Sequence, residues 1–201
     1  MSPEIEVIAD EALDINFRKN LVFELNSWIK NLISVELKDL IGLIKLKNKT
    51  LYLASPYGFS EHWRLKLLPD FVSKLEFMGA SVLEPFDRNS HIDISAPGWA
   101  NKVANSNLND LRQADGLFAI VNGSPPDEGV MVEIGVAIAL GKTTFLFRDD
   151  FRKCSDSNEY PLNLMVFLGL PSDSWNDYYY SSLDALDCKK KAIYKWLRNE
   201  I

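Results

Sequence analysis

Between Thr50 and Phe147, short apolar runs alternate with segments of helical spacing, and this alternation leaves few architectures open. The runs at 50–55 (TLYLAS), 81–84, 117–121 (LFAIV) and 143–147 (TTFLF) have the length and composition of strands. Segments 61–78, 99–114 and 129–140 lie between them with the length and periodicity of helices. Pro69 is expected to disturb the first helix and Gly79 to end it. The order βαβαβαβ, with strands apolar on both faces, predicts an α/β fold. Its core is a single open, mostly parallel sheet flanked by helices, flavodoxin-like or Rossmann-like. Tyr178-Tyr179-Tyr180 reads as a further strand with alternating faces. Ligands of such sheets bind outside the carboxyl ends of the strands, so chemistry is expected in the loops after Ser55, Glu84 and Val121.

Ahead of this pattern, Phe17, Leu21, Leu25, Trp28 and Leu32 recur at helical spacing, with charged and amide residues between them. Leu37, Leu40, Ile41 and Ile44 continue it after Ser34, a residue suited to cap a second helix that Gly42 weakens. Chemistry-bearing motifs begin only at Thr50. The division expected is therefore a helical extension over 1–48, serving packing or an interface, and a catalytic domain over 49–201.

Composition narrows the function classes. The 201 residues carry a formal net charge of -6, with Lys and Arg scattered, so no basic stripe exists to neutralise the phosphates of a polynucleotide. A small nucleoside remains compatible. Cys154, Cys188, His62 and His91 are too few and too far apart for a zinc motif or a disulfide framework, and neither metal nor cofactor is expected. The opening residues lack a basic region followed by an apolar core, and no apolar run approaches the roughly 18 residues of a membrane span. The expected location is the cytoplasm.

The most informative segment is DEGVMVEIGVAIALG at 127–141. Glu133 is the only ionisable residue between Gly129 and Gly141, and its helical neighbours Gly129, Val130, Val136 and Ala137 offer it no cation. Three readings stay open from the residues alone: a functional carboxylate, one paired with a cation elsewhere, or one at the solvent edge of the helix. Asp127 stands where a carboxylate caps a helix or faces the same pocket. Asp110 and Asp115 flank the end of the preceding helix, and at least one of them is expected on the surface.

Four motifs, in this order and spacing, resemble the nucleoside 2-deoxyribosyltransferase family: YLASPYGF at 52–59, NDLRQADG at 109–116, DEGVMVEIGVAIALGK at 127–142 and PLNLM at 161–165. The resemblance runs from about Thr50 to the C-terminus and leaves the N-terminal extension outside it. It implies transfer of a 2-deoxyribosyl group between nucleobases through a covalent ester on Glu133, with deoxynucleosides and free nucleobases as substrates. It further implies that Asp110 hands a proton to the departing base, Asp127 helps place the substrate, Tyr52 orients the nucleophile and Phe59 walls the base. Asn163 and Met165 would enter the site of a neighbouring subunit, which makes the protein a homo-oligomer with shared active sites. Some family members end in a tyrosine near the active site, whereas this chain ends Arg198-Asn199-Glu200-Ile201. No role is expected for that terminus.

The chemistry of the resemblance is coherent. Displacing a base from C1′ passes through an oxocarbenium-like state, in which one carboxylate attacks and another acidic group protonates the leaving group. Two inversions retain configuration. The nucleophile must be ionised and the donor protonated, so their environments must differ. Base preference is open: Phe59, Asn89 and Trp99 are of types that line a base pocket and equally of types that pack or sit in loops. Two rival functions are a deoxynucleoside 5′-monophosphate N-glycosidase, for which Ser55, Ser60, Arg64 and Arg88 are available to hold phosphate, and a nucleotide-sensing module without turnover.

Overall fold

The computed structural model describes residues 24–30 and 48–201. The chain divides into two units, Met1–Leu46 and Lys47–Ile201. Within the first, residues 24–30 are helical, in agreement with the spacing of Leu25 and Trp28. The rest of that expected helix, and the expected second helix through Leu37 and Ile44, lie outside the described residues.

The second unit is built on five strands: β1 (Thr50–Ala54), β2 (Ser81–Leu83), β3 (Gly116–Ile120), β4 (Thr143–Phe147) and β5 (Tyr179–Tyr180). They form one sheet in the order β2-β1-β3-β4-β5, and every pairing is parallel. This is the flavodoxin-like order, and it places the topological switch point between β1 and β3. The helices are α1 (Glu61–Lys66), α2 (Leu68–Phe77), α3 (Pro85–Arg88), α4 (Trp99–Gln113), α5 (Glu128–Ala139) and α6 (Ala192–Leu197). The expected α/β class is the observed one.

Side-chain alternation along the strands feeds two cores, one on each face of the sheet. Leu51 and Leu53 of β1 point toward Phe71 and Leu75 of α2 and Ile193 and Trp196 of α6. Tyr52 and Ala54 point the other way, toward Leu111 of α4 and Val130, Ile134 and Ala137 of α5. The sequence therefore aims Tyr52 at the helix that carries Glu133. Pro69 acts as expected: the helical run breaks at Leu67, and Pro69 occupies the first turn of α2, where its missing N–H costs no hydrogen bond. Two helices were not expected, α3 and α6, of four and six residues. Each is too short to show a period.

Candidate active site

Tyr52 is fully buried in β1, and its hydroxyl donates a hydrogen bond to Glu133 Oε1 at 2.6 Å. The partner of Glu133 is thus a phenol and not a cation. Among the described residues no Lys or Arg lies within ion-pair distance of it. Burial pushes its carboxyl up from the ordinary 4.5 to about 7, the Tyr52 hydrogen bond pulls it back in part, and the neighbouring charge of Asp127 raises it further. Tyr52 in turn is driven far above the ordinary phenol range by burial, then by the charges of Glu133, Asp110 and Glu84. Its hydroxyl is a permanent donor at any ordinary pH.

Of the two readings of Asp127, the helix cap is the one observed. It is the N-cap of α5, its Oδ1 accepting from the Val130 N–H at 3.0 Å, and its charge is felt at Glu133. Asp110 is 5% exposed, near the carboxyl end of α4, and both its oxygens accept from Arg88, through Nε and Nη2, at 2.9 Å each. Asp115 is the surface member of its pair, accepting from the Thr50 N–H. Glu84, at the end of β2, caps α3 by accepting from the N–H groups of Phe86 and Asp87, and so fixes the short helix that carries Arg88.

The remaining expected residues divide between two places. Phe59 lies in the turn after β1, 77% exposed, edge-on to Phe86 with ring centroids 5.1 Å apart. Gly58 makes this approach possible, because a Cβ there would lie 1.8 Å from the Phe86 ring. Asn89 is buried, its amide donating to the Pro85 carbonyl and to Asn107, while its Oδ1 has no partner. It ties α3 to α4. Asn163 and Met165 stand apart from this group. They line a groove of about 550 Å³ with Met131, Ile134, Gly135, Ile138 and Leu168. Met131 and Gly135 lie two residues to either side of Glu133, about 200° around the helix from it. The groove is therefore on the face of α5 turned away from this chain's own Glu133.

Four residues, Arg88, Glu84, Arg148 and Asn122, contribute in ways that no local pattern signals. The fork of Arg88 onto Asp110 joins residues 22 apart in the chain, and Glu84 was read only as the end of a strand. Arg148, 2% exposed just beyond β4, donates to the carbonyls of Val121, Gly123 and Arg152. With Asn122, which accepts from the N–H groups of Asp149 and Asp150, it fixes the loop that leads to Asp127. An Arg following a strand signals an edge, not a buried clamp, so no pattern announced it. Among the described residues, no group of three or more His, Cys, Asp or Glu is arranged to hold a metal ion. Among them too, no helix is long and apolar enough to cross a membrane.

The half-buried carboxylate and its phenol thus stand on the two elements, β1 and α5, that meet beside the switch point of the sheet. The chain is 30% identical over 135 residues to a nucleoside deoxyribosyltransferase of Limosilactobacillus fermentum, an alignment covering 61% of this chain and 77% of that protein. Its fold is shared with the 2-deoxyribosyltransferase of Bacillus psychrosaccharolyticus, with a TM-score of 0.55 and 24% identity over 69% of this chain and 90% of that one. It is shared also with a 2-deoxyribosyltransferase from Leishmania mexicana, with a TM-score of 0.52 and 24% identity over 68% and 93% of the two chains. The family model for nucleoside 2-deoxyribosyltransferase matches residues 51–165, more than half of the sequence and inclusive of Tyr52, Asp110, Asp127 and Glu133. The chain belongs to the nucleoside 2-deoxyribosyltransferase family of enzymes.

Proposed function

We propose that this enzyme exchanges the base of a 2-deoxynucleoside for a free nucleobase, with Glu133 as the nucleophile. One observation carries the reading: a half-buried carboxylate with no cation near it, held by one oxygen to a buried tyrosine. Tyr52 fixes Oε1, and Oε2 has no hydrogen-bond partner among the described residues. Attack of Oε2 on C1′ forms the ester as the C1′–N bond breaks, and the base leaves with the bonding electrons and a proton. The nitrogen of the incoming base then attacks C1′ from the opposite face, releases the carboxylate and gives up its proton to the group that protonated the departing base. Configuration is retained. Poor solvation of Glu133 favours this step, because little water must be stripped from the carboxylate before it reaches the sugar.

For the proton donor we propose Asp127 in place of Asp110, the residue that the family resemblance implies. A proton placed on either oxygen of Asp110 would compete with an Arg88 N–H that already points there. Asp127 uses only Oδ1 in its cap, so Oδ2 is the carboxylate oxygen left to serve the departing base. Asp110 then acts through Arg88.

A shared site is supported by the groove. Asn163 and Met165 line the face of α5 turned away from their own Glu133, and Met165 and Leu168 leave apolar surface exposed there. A second copy covering that surface buries it and brings the two residues to a neighbouring site. The protein is thus read as a cytoplasmic homo-oligomer, with residues 1–48 as an appendage to the catalytic domain. Incubation with a deoxynucleoside, with and without a second free base, tests the reaction. Base exchange is expected. Release of free deoxyribose regardless of acceptor points to an N-glycosidase, and absence of any product to a sensing module.

A further inference from the structure

Arg88 is 48% exposed along its side chain, yet the end of that side chain is anchored, by a fork of two 2.9 Å hydrogen bonds, to an almost fully buried carboxylate. The pair uses Nε and one N–H of Nη2. Among the described residues Nη1 has no partner. The anchoring carboxylate, Asp110, is close enough to the Tyr52 hydroxyl for its charge to be felt there. A rigid row of uncommitted N–H donors therefore stands on the short helix that follows β2, whose Leu83 pairs with Tyr52 in the sheet, with its ordering entropy already lost on folding. Guanidinium has no acceptor, so whatever meets this edge must present lone pairs.

Resting on the transferase reading, we propose that Arg88 is a specificity-determining residue, selecting bases that present a carbonyl oxygen over those that present an exocyclic amino group. A 6-oxopurine offers O6 and N7 to a guanidinium edge, whereas a 6-aminopurine sets its own N–H donors against those of Arg88 at one of the two positions. The same contrast separates 4-oxopyrimidines from 4-aminopyrimidines. Asp110 is the positioning residue that aims the fork.

Equilibrium binding to the Glu133→Gln protein, which retains the pocket without turnover, separates this proposal from the reaction itself. Deoxyinosine is compared with deoxyadenosine, and deoxyuridine with deoxycytidine. The oxo member of each pair should bind about 10-fold to 100-fold more tightly. Adding Arg88→Met should abolish the preference by weakening the oxo member alone. Because that change leaves Asp110 buried without its partner, Arg88→Lys serves as the second variant: it keeps the charge pair but lacks the planar fork, and the preference should shrink. No preference in the starting protein, including failure to bind either member, overturns the proposal. So does a preference that survives both substitutions, or equal weakening of both members. A gain in affinity from a 5′-phosphate that is lost with Arg88 would also overturn it, by assigning the fork to phosphate. Turnover by the protein with Glu133 intact is measured on the same four nucleosides. Selective binding without any turnover leaves Arg88 as assigned and sinks the transferase reading instead.

Discussion

Glu133→Gln should make the protein more stable as the pH rises, even as it removes activity. In the folded chain the Glu133 carboxyl is pushed up from 4.5 to about 7, chiefly by burial. A carboxyl with a raised folded value binds its proton more tightly in the native state. The associated stability is fully present below about pH 4.5 and is lost as the pH rises through 7. At 1.36 kcal/mol per pH unit the loss approaches about 3 kcal/mol. Glutamine does not titrate, so the variant escapes it while keeping nearly the same volume and a hydrogen-bond acceptor for Tyr52. Urea denaturation of both proteins between pH 4.5 and 8.5 measures the difference directly. The gap should open by about 3 kcal/mol in favour of Gln, or roughly 6–12 °C in Tm for a chain of this size. Curves that stay parallel across that range would mean that Glu133 is not a desolvated carboxylate, and the electrostatic reasoning behind its nucleophilic role would fall with it.

Further expectations follow from the same geometry. The kcat/KM of the wild type should rise through an apparent value near 7, as Glu133 ionises. Tyr52→Phe removes the hydrogen bond that holds the carboxyl down, so a pH–rate profile should show this limb moving to higher pH. Gly58→Ala drives a methyl group into the Phe86 ring, and should cost about 1–3 kcal/mol in denaturation experiments with a raised KM, because α3 and Arg88 shift with Phe86. Glu133→Ala and Asn163→Ala chains, inactive alone, should recover about a quarter of wild-type activity per site when co-assembled at random. Recovery no greater than that of the separate mutants, in verified mixed oligomers, would place Asn163 with its own Glu133.

The sheet was largely legible because its signals are local. β4 spans the expected residues, β1 and β2 each end one residue early, β3 is shifted by one residue toward the N-terminus, and the interruption at Leu67 follows from Pro69 two positions on. The isolation of Glu133 in an apolar helix was equally visible, since it depends only on what stands three and four residues away. What it pairs with was not a matter of spacing. Tyr52 was assigned that role by family likeness, and the strand's two-residue period supplies the physical reason, by turning Tyr52 toward α5 and its neighbours Leu51 and Leu53 toward α2. The Arg88–Asp110 fork was invisible for the opposite reason: α3 is too short to carry a pattern, and its partner lies on another helix. Hence the Arg88 contacts that lead us to propose Asp127 in place of Asp110 as the proton donor could not be foreseen from spacing.

The central claim is the covalent role of Glu133, and acid-quenched mass spectrometry tests it most directly. Wild-type protein is mixed with a slowly turned-over deoxynucleoside in the absence of acceptor base, quenched, digested and mapped. The account predicts a mass increase equal to one deoxyribosyl group on the peptide containing Glu133, lost when a free base is added before quenching and absent in Glu133→Gln. Label on the peptide of Asp110 or Asp127, or turnover with no labelled carboxylate at any time, would contradict it.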